Sequence, residues 1–296
     1  MSGFVADAPL TEQKNILTRR NFLLGSATAA SGLALYSGEI ARHELSVETH
    51  TLALARLPEA FRNYRIVQIS DIHFDEYTEP SFVHRVVDEV NRLTPDLVLL
   101  TGDYISNTPR GVKFAAGALL RCADELRRLS CPVRYAVMGN HDNILGPPLI
   151  RAGLASASIP MLFNQNVAIE RNGQRLWLAG LADPLSNKPN LQRTIPANAD
   201  GPVILMCHAP DYADNVLAQG YGALVDLMLS GHSHGGQVRL PILGAVHRVY
   251  GAEHYVQGLF QLGGMQLYVN RGIGTVGVPF RLNCPPEITV FTLQRS

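Results

Sequence analysis

This 296-residue sequence predicts an α/β protein of the α+β kind, with two facing β-sheets flanked by helices in one domain. Three observations carry that prediction. Arg65 to Met138 reads strand, helix, strand, helix, strand, an order that implies parallel pairing with right-handed crossovers. The tail from Gly258 to Leu293 is Gly-punctuated strand with no helical period. Five apolar runs along the chain each end in Asp, Asn or His.

The elements follow in order. THTLALARLP (Thr49 to Pro58) alternates loosely and predicts an edge strand. RIVQISDIH (Arg65 to His73) is the first core strand, in which Ile66, Val67 and Ile69 form a β-branched run that breaks into Asp71 and His73. The loop FDEYTEP leads to a helix with Pro80 in its first turn. Phe82, Val83, Val86, Val87, Val90 and Leu93 recur there at helical spacing, and Thr94 and Pro95 stop it. Leu97 to Leu100 is a buried strand that exits through Gly102 and Asp103. Val112 to Leu129 is a second helix, with Leu119, Leu120, Leu126 and Leu129 as core candidates. Val133 to Met138 is a strand running into Asn140, His141 and Asp142.

Beyond Pro147 the texture changes. Asn166 to Ile169 and Arg175 to Leu181 flank Asn172-Gly173, a strong hairpin signal. Asp183 to Pro202 is rich in Pro, Asn and Asp and reads as a surface loop. Val203 to Met206 and Leu227 to Leu229 are strands with a short helix, Tyr212 to Ala218, between them. The first of these strands ends at His208, the second at His232 and His234.

Composition narrows the function. Hydrophobic residues at 46% and charged residues at 17% describe a globular chain with a substantial core. The net charge is zero and no basic run occurs, which argues against a nucleic-acid partner, since duplex binding rests on phosphate neutralisation. Cys122, Cys131, Cys207 and Cys284 have no C-x-x-C spacing, so a zinc knuckle or thioredoxin-type site is not expected. They read as small buried apolar residues, with a Cys122–Cys131 bridge left open.

The strand ends carry the chemistry. Sheet folds gather their sites beyond the carboxyl ends of strands. Asp71, His73, Asp103, Asn140, His208, His232 and His234 offer oxygen and nitrogen donors without thiolate, a set that suits manganese, iron or zinc better than calcium. Seven ligands are too many for one catalytic ion with an open position. They are about right for two ions, and two ions ~3.5–4 Å apart can clamp a phosphoryl group and acidify a water.

The motif set D-x-H, GD, GNHD, a His after a strand, and GHSHGG resembles that of the calcineurin-like metallophosphoesterases, from Arg65 to the C-terminus. D-x-H or GD alone says little, while GNHD and GHSHGG are each specific. The spacing is also similar to a twin-arginine-exported, cell-envelope phosphodiesterase branch. The resemblance implies the metallo-dependent phosphatase fold, a two-sheet β-sandwich with flanking helices. It implies that Asp71, His73 and His234 hold one metal, that Asn140, His208 and His232 hold the second, and that Asp103 bridges them. Manganese is the first choice for both divalent ions, iron or zinc the alternative. His141 corresponds to the family's catalytic histidine, which contacts the phosphate and assists the leaving group, and Asp142 is expected to orient it. Asn270 and Arg271 either bind phosphate or merely form a Gly-rich turn between strands. His84 reads as a helix-surface residue.

The N-terminus reads as an address. Arg19 and Arg20 are followed by Phe22, Leu23 and Leu24 and then by a mildly apolar Ala/Gly/Ser stretch ending near Tyr36. This resembles a twin-arginine export signal, which implies export machinery as a partner. No small-x-small cleavage site closes it, so retention as a membrane anchor is left open. The expected division is a signal or anchor at 1–45 and a metallophosphoesterase domain at 46–296, in the periplasm or cell envelope. The expected function is dinuclear-metal-dependent hydrolysis of a phosphodiester or pyrophosphate, with a lipid or nucleotide-lipid head group as a candidate substrate. The alternatives are a phosphomonoesterase or protein phosphatase with the same metals, and a non-catalytic metal-stabilised binding module. The intact His141 and full ligand set argue against the last.

Overall fold

The computed structural model describes residues 18–74 and 77–296. Residues 1–17 of the expected N-terminal segment, and the middle of the FDEYTEP loop, lie outside the described residues. The described chain opens with α1 (Arg19–Leu35), whose N-terminus is capped by the Thr18 hydroxyl and whose residues are all exposed.

Period-two alternation decides the layering. The first sheet holds β1 (Ser46–Ala53), β2 (Arg65–Ile69), β3 (Leu97–Leu100), β4 (Arg134–Ala136) and the C-terminal β13 (Glu287–Gln294), in the order β1-β13-β2-β3-β4. β2, β3 and β4 pair in parallel, as the helical crossovers require. β1 is the edge strand, parallel to β13, which itself enters antiparallel to β2. Ile66, Leu97 and Leu99 face the second sheet, while Val67, Ile69, Val98 and Leu100 face the helices.

Those helices are α2 (Pro80–Arg92), α3 (Gly111–Leu126) and α4 (Gly146–Ser156). Sequence periodicity misses α4, because GPPLIRAGLAS carries two Gly and two Pro. Both prolines sit in its first turn, where no N–H is needed. Gly153 faces α3, where a Cβ would lie 2.7 Å from the Leu119 side chain, so the glycine that weakens the helix lets it pack. The expected core role of Leu120 is wrong. Its side chain is 60% exposed, whereas Leu119, Leu126 and Leu129 are buried. All four cysteines are buried thiols, which answers the open question of a Cys122–Cys131 bridge.

The second sheet holds β5 (Gln165–Arg171), β6 (Gln174–Gly180), β7 (Val203–Met206), β8 (Leu227–Ser230), β11 (Gly258–Leu262) and β12 (Met265–Val269), in the order β11-β12-β8-β7-β6-β5. The β5–β6 turn places Asn172 at φ 52° and Gly173 at φ 73°, the two left-handed residues of a type I′ hairpin. α5 (Leu191–Thr194) and α6 (Tyr212–Ala218) cover its outer face. A separate hairpin, β9 (Arg239–Leu240) with β10 (Gly244–Ala245), projects beside it. Ile66, Leu99, Leu178, Met206, Leu229 and Phe291 form the core between the sheets. Gln68 crosses that core, donating to Thr101 Oγ1 (2.9 Å) and to Ser230 O (3.0 Å), and so ties the ends of β2, β3 and β8.

Between α1 and β1 the chain already packs on this body. Ser37 and Ala41 are buried, Arg281 N–H donates to Ser37 O (3.0 Å), and Arg42 ion-pairs with Glu79 at 2.6 Å and donates to Tyr77 O.

Leu99 is wholly buried between the sheets. Leu99→Ala should destabilise the protein by about 2–5 kcal/mol. Chemical denaturation measures this, and a loss below about 1 kcal/mol would contradict the burial of Leu99 between the sheets.

Candidate metal centre

Each predicted ligand stands two to four residues beyond a strand. Asp71 and His73 follow β2, Asp103 follows β3, Asn140 follows β4, His208 follows β7, and His232 and His234 follow β8. Five of these seven (Asp71, His73, Asp103, His232 and His234) have positive φ, between 47° and 68°. The left-handed backbone is uncommon for non-glycine residues, and it turns the chain sharply so that successive side chains re-enter one space. Cross-loop hydrogen bonds hold it: Asp71 N–H donates to Gly102 O (2.9 Å), His73 N–H to Asp103 O (3.1 Å), and His232 N–H to the Asp71 carboxylate (2.9 Å). Gly102 precedes Asp103 because a Cβ there would lie 2.6 Å from Gly139 N and 2.7 Å from His208 Nδ1.

The side chains converge in two groups. Asp71, His73 and His234 form one; Asp103, His208 and His232 form the other; all six are buried, with the ligand atoms of each group within 4.8 Å of one another. His73 Nε2 and His234 Nε2 stand 3.1 Å apart. Asn140 Oδ1 joins the second group, 3.2 Å from His208 Nε2. Asp103 Oδ2 lies between the groups, 3.1 Å from His208 Nε2 and 3.6 Å from His73 Nε2. Asp71 Oδ1 also reaches across, 3.5 Å from His234 Nε2 and 4.0 Å from His208 Nε2.

The far nitrogen of every imidazole is held from behind. His73 Nδ1 meets Ser106 Oγ (2.9 Å), His208 Nδ1 meets Thr101 O (2.7 Å), His232 Nε2 meets Tyr250 O (2.9 Å) and His234 Nδ1 meets Gly274 O (3.2 Å). A carbonyl accepts only, so at His208, His232 and His234 the far nitrogen carries a proton and the near one can present a lone pair. This is the outer-shell pattern of metal-ligating histidines. Burial holds His73, His232 and His234 below the usual histidine range, helped at each by neighbouring positive charge, so they stay neutral. Burial would lower His208 too, but the carboxylates of Asp103, Asp71 and Asp183 outweigh it and hold His208 well above that range. Asp103 is the counterpart: burial would raise it, and His208, with smaller help from His141 and His73, holds it well below. Three neutral imidazoles, a fourth whose near proton a cation would displace, buried carboxylates and one amide oxygen fit two divalent cations.

His141 lies at the mouth, half-buried, its ring edge-on to His73 at 4.8 Å between centroids. Its own N–H donates to Asp103 Oδ1 (2.9 Å), and its Nδ1 accepts from Asn107 N–H (3.1 Å). Nδ1 as acceptor puts the proton of the neutral ring on Nε2.

Three placements differ from the sequence reading. Asp142 contacts the backbone and not the His141 ring: its carboxylate accepts from the N–H groups of Asp103, Tyr104 and Gly139 (each 2.9 Å) and of Ile105 (3.3 Å). It clamps the Asp103 loop against the Asn140 loop, and Asn107 positions the ring. Asn270 and Arg271 do not face the site. Asn270 is buried, bonding Thr289 Oγ1 (2.7 Å) and Gly272 N–H (2.7 Å), and Arg271 ion-pairs with Glu48 and Glu287, each at 2.6 Å. Lastly, Asp183, read as the start of a surface loop, is wholly buried within the field of His208 and His232. Its Oδ2 accepts from Ser186, and its Oδ1 is buried without a partner. The signal was present: WLAGLAD is another apolar run ending in a carboxylate. His84 is exposed on α2, as expected.

The sequence matches the family described as Calcineurin-like phosphoesterase over residues 64–236. The chain belongs to that family. It is 32% identical over 292 residues to the uncharacterized metallophosphoesterase YkuE of Bacillus subtilis, covering 95% of this chain and 99% of that one. It is also 32% identical over 285 residues to the phosphodiesterase YaeI of Escherichia coli, covering 94% and 100%. Among solved structures, the calcineurin-like phosphoesterase YfkN from Bacillus subtilis aligns with a TM-score of 0.43 at 15% identity, over 71% of this chain and 81% of that one. The family match and these relatives make the chain a metallophosphoesterase, and its two ligand groups suit two divalent ions.

Asp103→Asn removes the carboxylate charge that lies between the two groups. Metal content by mass spectrometry should fall by at least one ion per chain, and activity should be nearly lost; full occupancy with full activity would refute the placement. The raised pKa of His208 sets a second expectation. In metal-free protein below that pKa, a cation must displace the Nε2 proton, so affinity should fall as pH falls across neutrality, by up to about tenfold per unit for one proton. Calorimetry in buffers of different ionisation enthalpy should show about one proton released per chain at pH 7. No release would mean that His208 is neutral before the metal arrives.

Proposed function

We propose that this calcineurin-like phosphoesterase is a phosphodiesterase of the cell envelope, hydrolysing a phosphodiester or pyrophosphate bond in a lipid or nucleotide-lipid head group. The observation that carries the reaction is the pair of three-ligand groups with Asp103 between them and His141 at the mouth. The name of the relative YaeI, a phosphodiesterase, supports diester over monoester chemistry. Asp71, His73 and His234 would hold one ion, and Asn140, His208 and His232 the other, with Asp103 touching both. The oxygen and nitrogen donors without thiolate favour manganese, with iron or zinc as alternatives. When bound, the ions supply Lewis acidity toward a phosphoryl oxygen and lower the pKa of water.

The remaining roles belong to the chain. Asn107 keeps the His141 proton on Nε2, the nitrogen left to meet the substrate, where it can protonate the departing oxygen. Asp142 fixes the two loops whose ends present Asp103 and Asn140, so that these donors need no reorganisation during reaction. No cysteine stands in the centre, which supports direct attack by water over a thiophosphate intermediate.

The envelope assignment is supported by the Arg19-Arg20 pair at the start of α1 and by the exposed Phe22, Leu23, Leu24, Leu33 and Leu35 along it. No helix among the described residues is long and apolar enough to cross a membrane.

A metal-dependent assay with chromogenic diester and monoester substrates tests the reaction; faster monoester cleavage would overturn the diester assignment. His141→Ala should keep both metals and lower kcat by about 10²–10⁴. The loss should be smaller with a nitrophenolate leaving group than with an alkoxide. Equal slowing of both would mean that the ring stabilises charge and does not donate a proton. Replacing Arg19 and Arg20 together by Lys keeps the charge and should strand the protein in the cytoplasm. Cell fractionation decides this, and unchanged envelope localisation would remove the pair as the address.

A further inference from the structure

A cavity of about 330 Å³ opens directly beside the metal centre, with His234 in its wall. Five valines line it (Val238, Val246, Val249, Val276 and Val278). This is unlike the ligand groups next door, whose converging side chains are Asp and His. Small-molecule sites are commonly apolar cavities with a few convergent polar groups at one end, and here the polar end is the place for the phosphoester.

The rim is apolar as well. Val246 and Val278, which line the cavity, are 61% and 48% exposed. The β9–β10 hairpin, which runs from Val238 toward Val246, carries at its tip Ile242, wholly exposed, and Leu243, 78% exposed. Ile242 is held at φ 70°, a conformation in which a β-branched residue is a genuine outlier. A strained, solvated isoleucine beside an apolar cavity has no role in the core. It does suit contact with a lipid surface from which a chain enters the cavity. Arg248 is exposed on the following segment, as a surface meeting anionic head groups would have it.

We infer that the valine cavity is the subsite for the apolar chain of an amphiphilic phosphoester whose phosphate sits at the metal centre. This rests on the phosphodiesterase reading above and narrows it. A chain there adds uniform binding, which lowers KM more than it raises kcat.

Two measurements on the metal-loaded full chain test this. Methylphosphonate and decylphosphonate, which resist hydrolysis, are titrated by calorimetry below the aggregation concentration of the latter. Each methylene that is fully buried is worth about fourfold in affinity, so decylphosphonate should bind at least about 100-fold more tightly. The same dependence should appear in KM for methyl and decyl 4-nitrophenyl phosphate diesters. Val246→Trp, at the exposed wall, should collapse the decyl-to-methyl ratio toward one; if that variant fails to fold, the chain-length series on the unaltered protein stands alone. Diester hydrolysis with equal affinity for the two phosphonates would overturn the chain subsite and leave the phosphodiesterase reading standing. Absence of diester hydrolysis would remove that reading and the subsite with it.

Discussion

The 3.1 Å approach of Asp103 Oδ2 to His208 Nε2 is the contact on which the structure turns. Asp103 leaves the first sheet and His208 leaves the second, so the site exists only where the two sheets are held face to face with their strand ends together. The neighbouring Gln68 bonds to Thr101 and Ser230 fasten the same strand ends from within the core. A buried carboxylate is tolerated there because an imidazolium, or a cation in its place, faces it. The same pairing holds Asp103 ionised and His208 charged in the absence of metal, which keeps the ligands close despite their number.

Around that contact, strained backbone is concentrated. Five ligands in left-handed conformation each carry an energetic penalty of about 1–3 kcal/mol, which persists only because neighbouring elements over-determine the geometry. Asp142 is the clearest example. Its carboxylate gathers four backbone N–H groups from two loops, work that repeating secondary structure would otherwise do. These bonds hold the two loops to each other and so fix the donors they present before substrate arrives.

The two sides of the metal centre differ in character. Toward Asn107 and His141 it is polar and hydrogen-bonded; toward the β9–β10 hairpin it is apolar and strained. On the same side, Ala30, Leu33 and Ala34 of the exposed α1 line one surface cavity with Val238, Phe280 and Leu282. An amphiphile approaching from a lipid surface would meet the apolar side first.

The order of elements, the hairpin at Asn172-Gly173, the helix at Tyr212–Ala218 and the placing of ligands beyond strands were all legible in the sequence, because each depends on local period or turn chemistry. Helix α4 was not, because its glycine is favourable only against Leu119 of another helix. Leu120 was misplaced because a one-residue step on a helix turns a side chain by about 100°, and only packing shows which side is in. At the site, sequence alone supplied the donors and their chemistry. The motif resemblance already implied which donors share a group; the tertiary structure decided that Asp142 clamps backbone while Asn107 positions His141, that Arg271 is consumed by Glu48 and Glu287, and that Asp183 is buried near His208. Those facts are contacts between residues far apart in the chain, and no local pattern encodes which distant partner a side chain will meet.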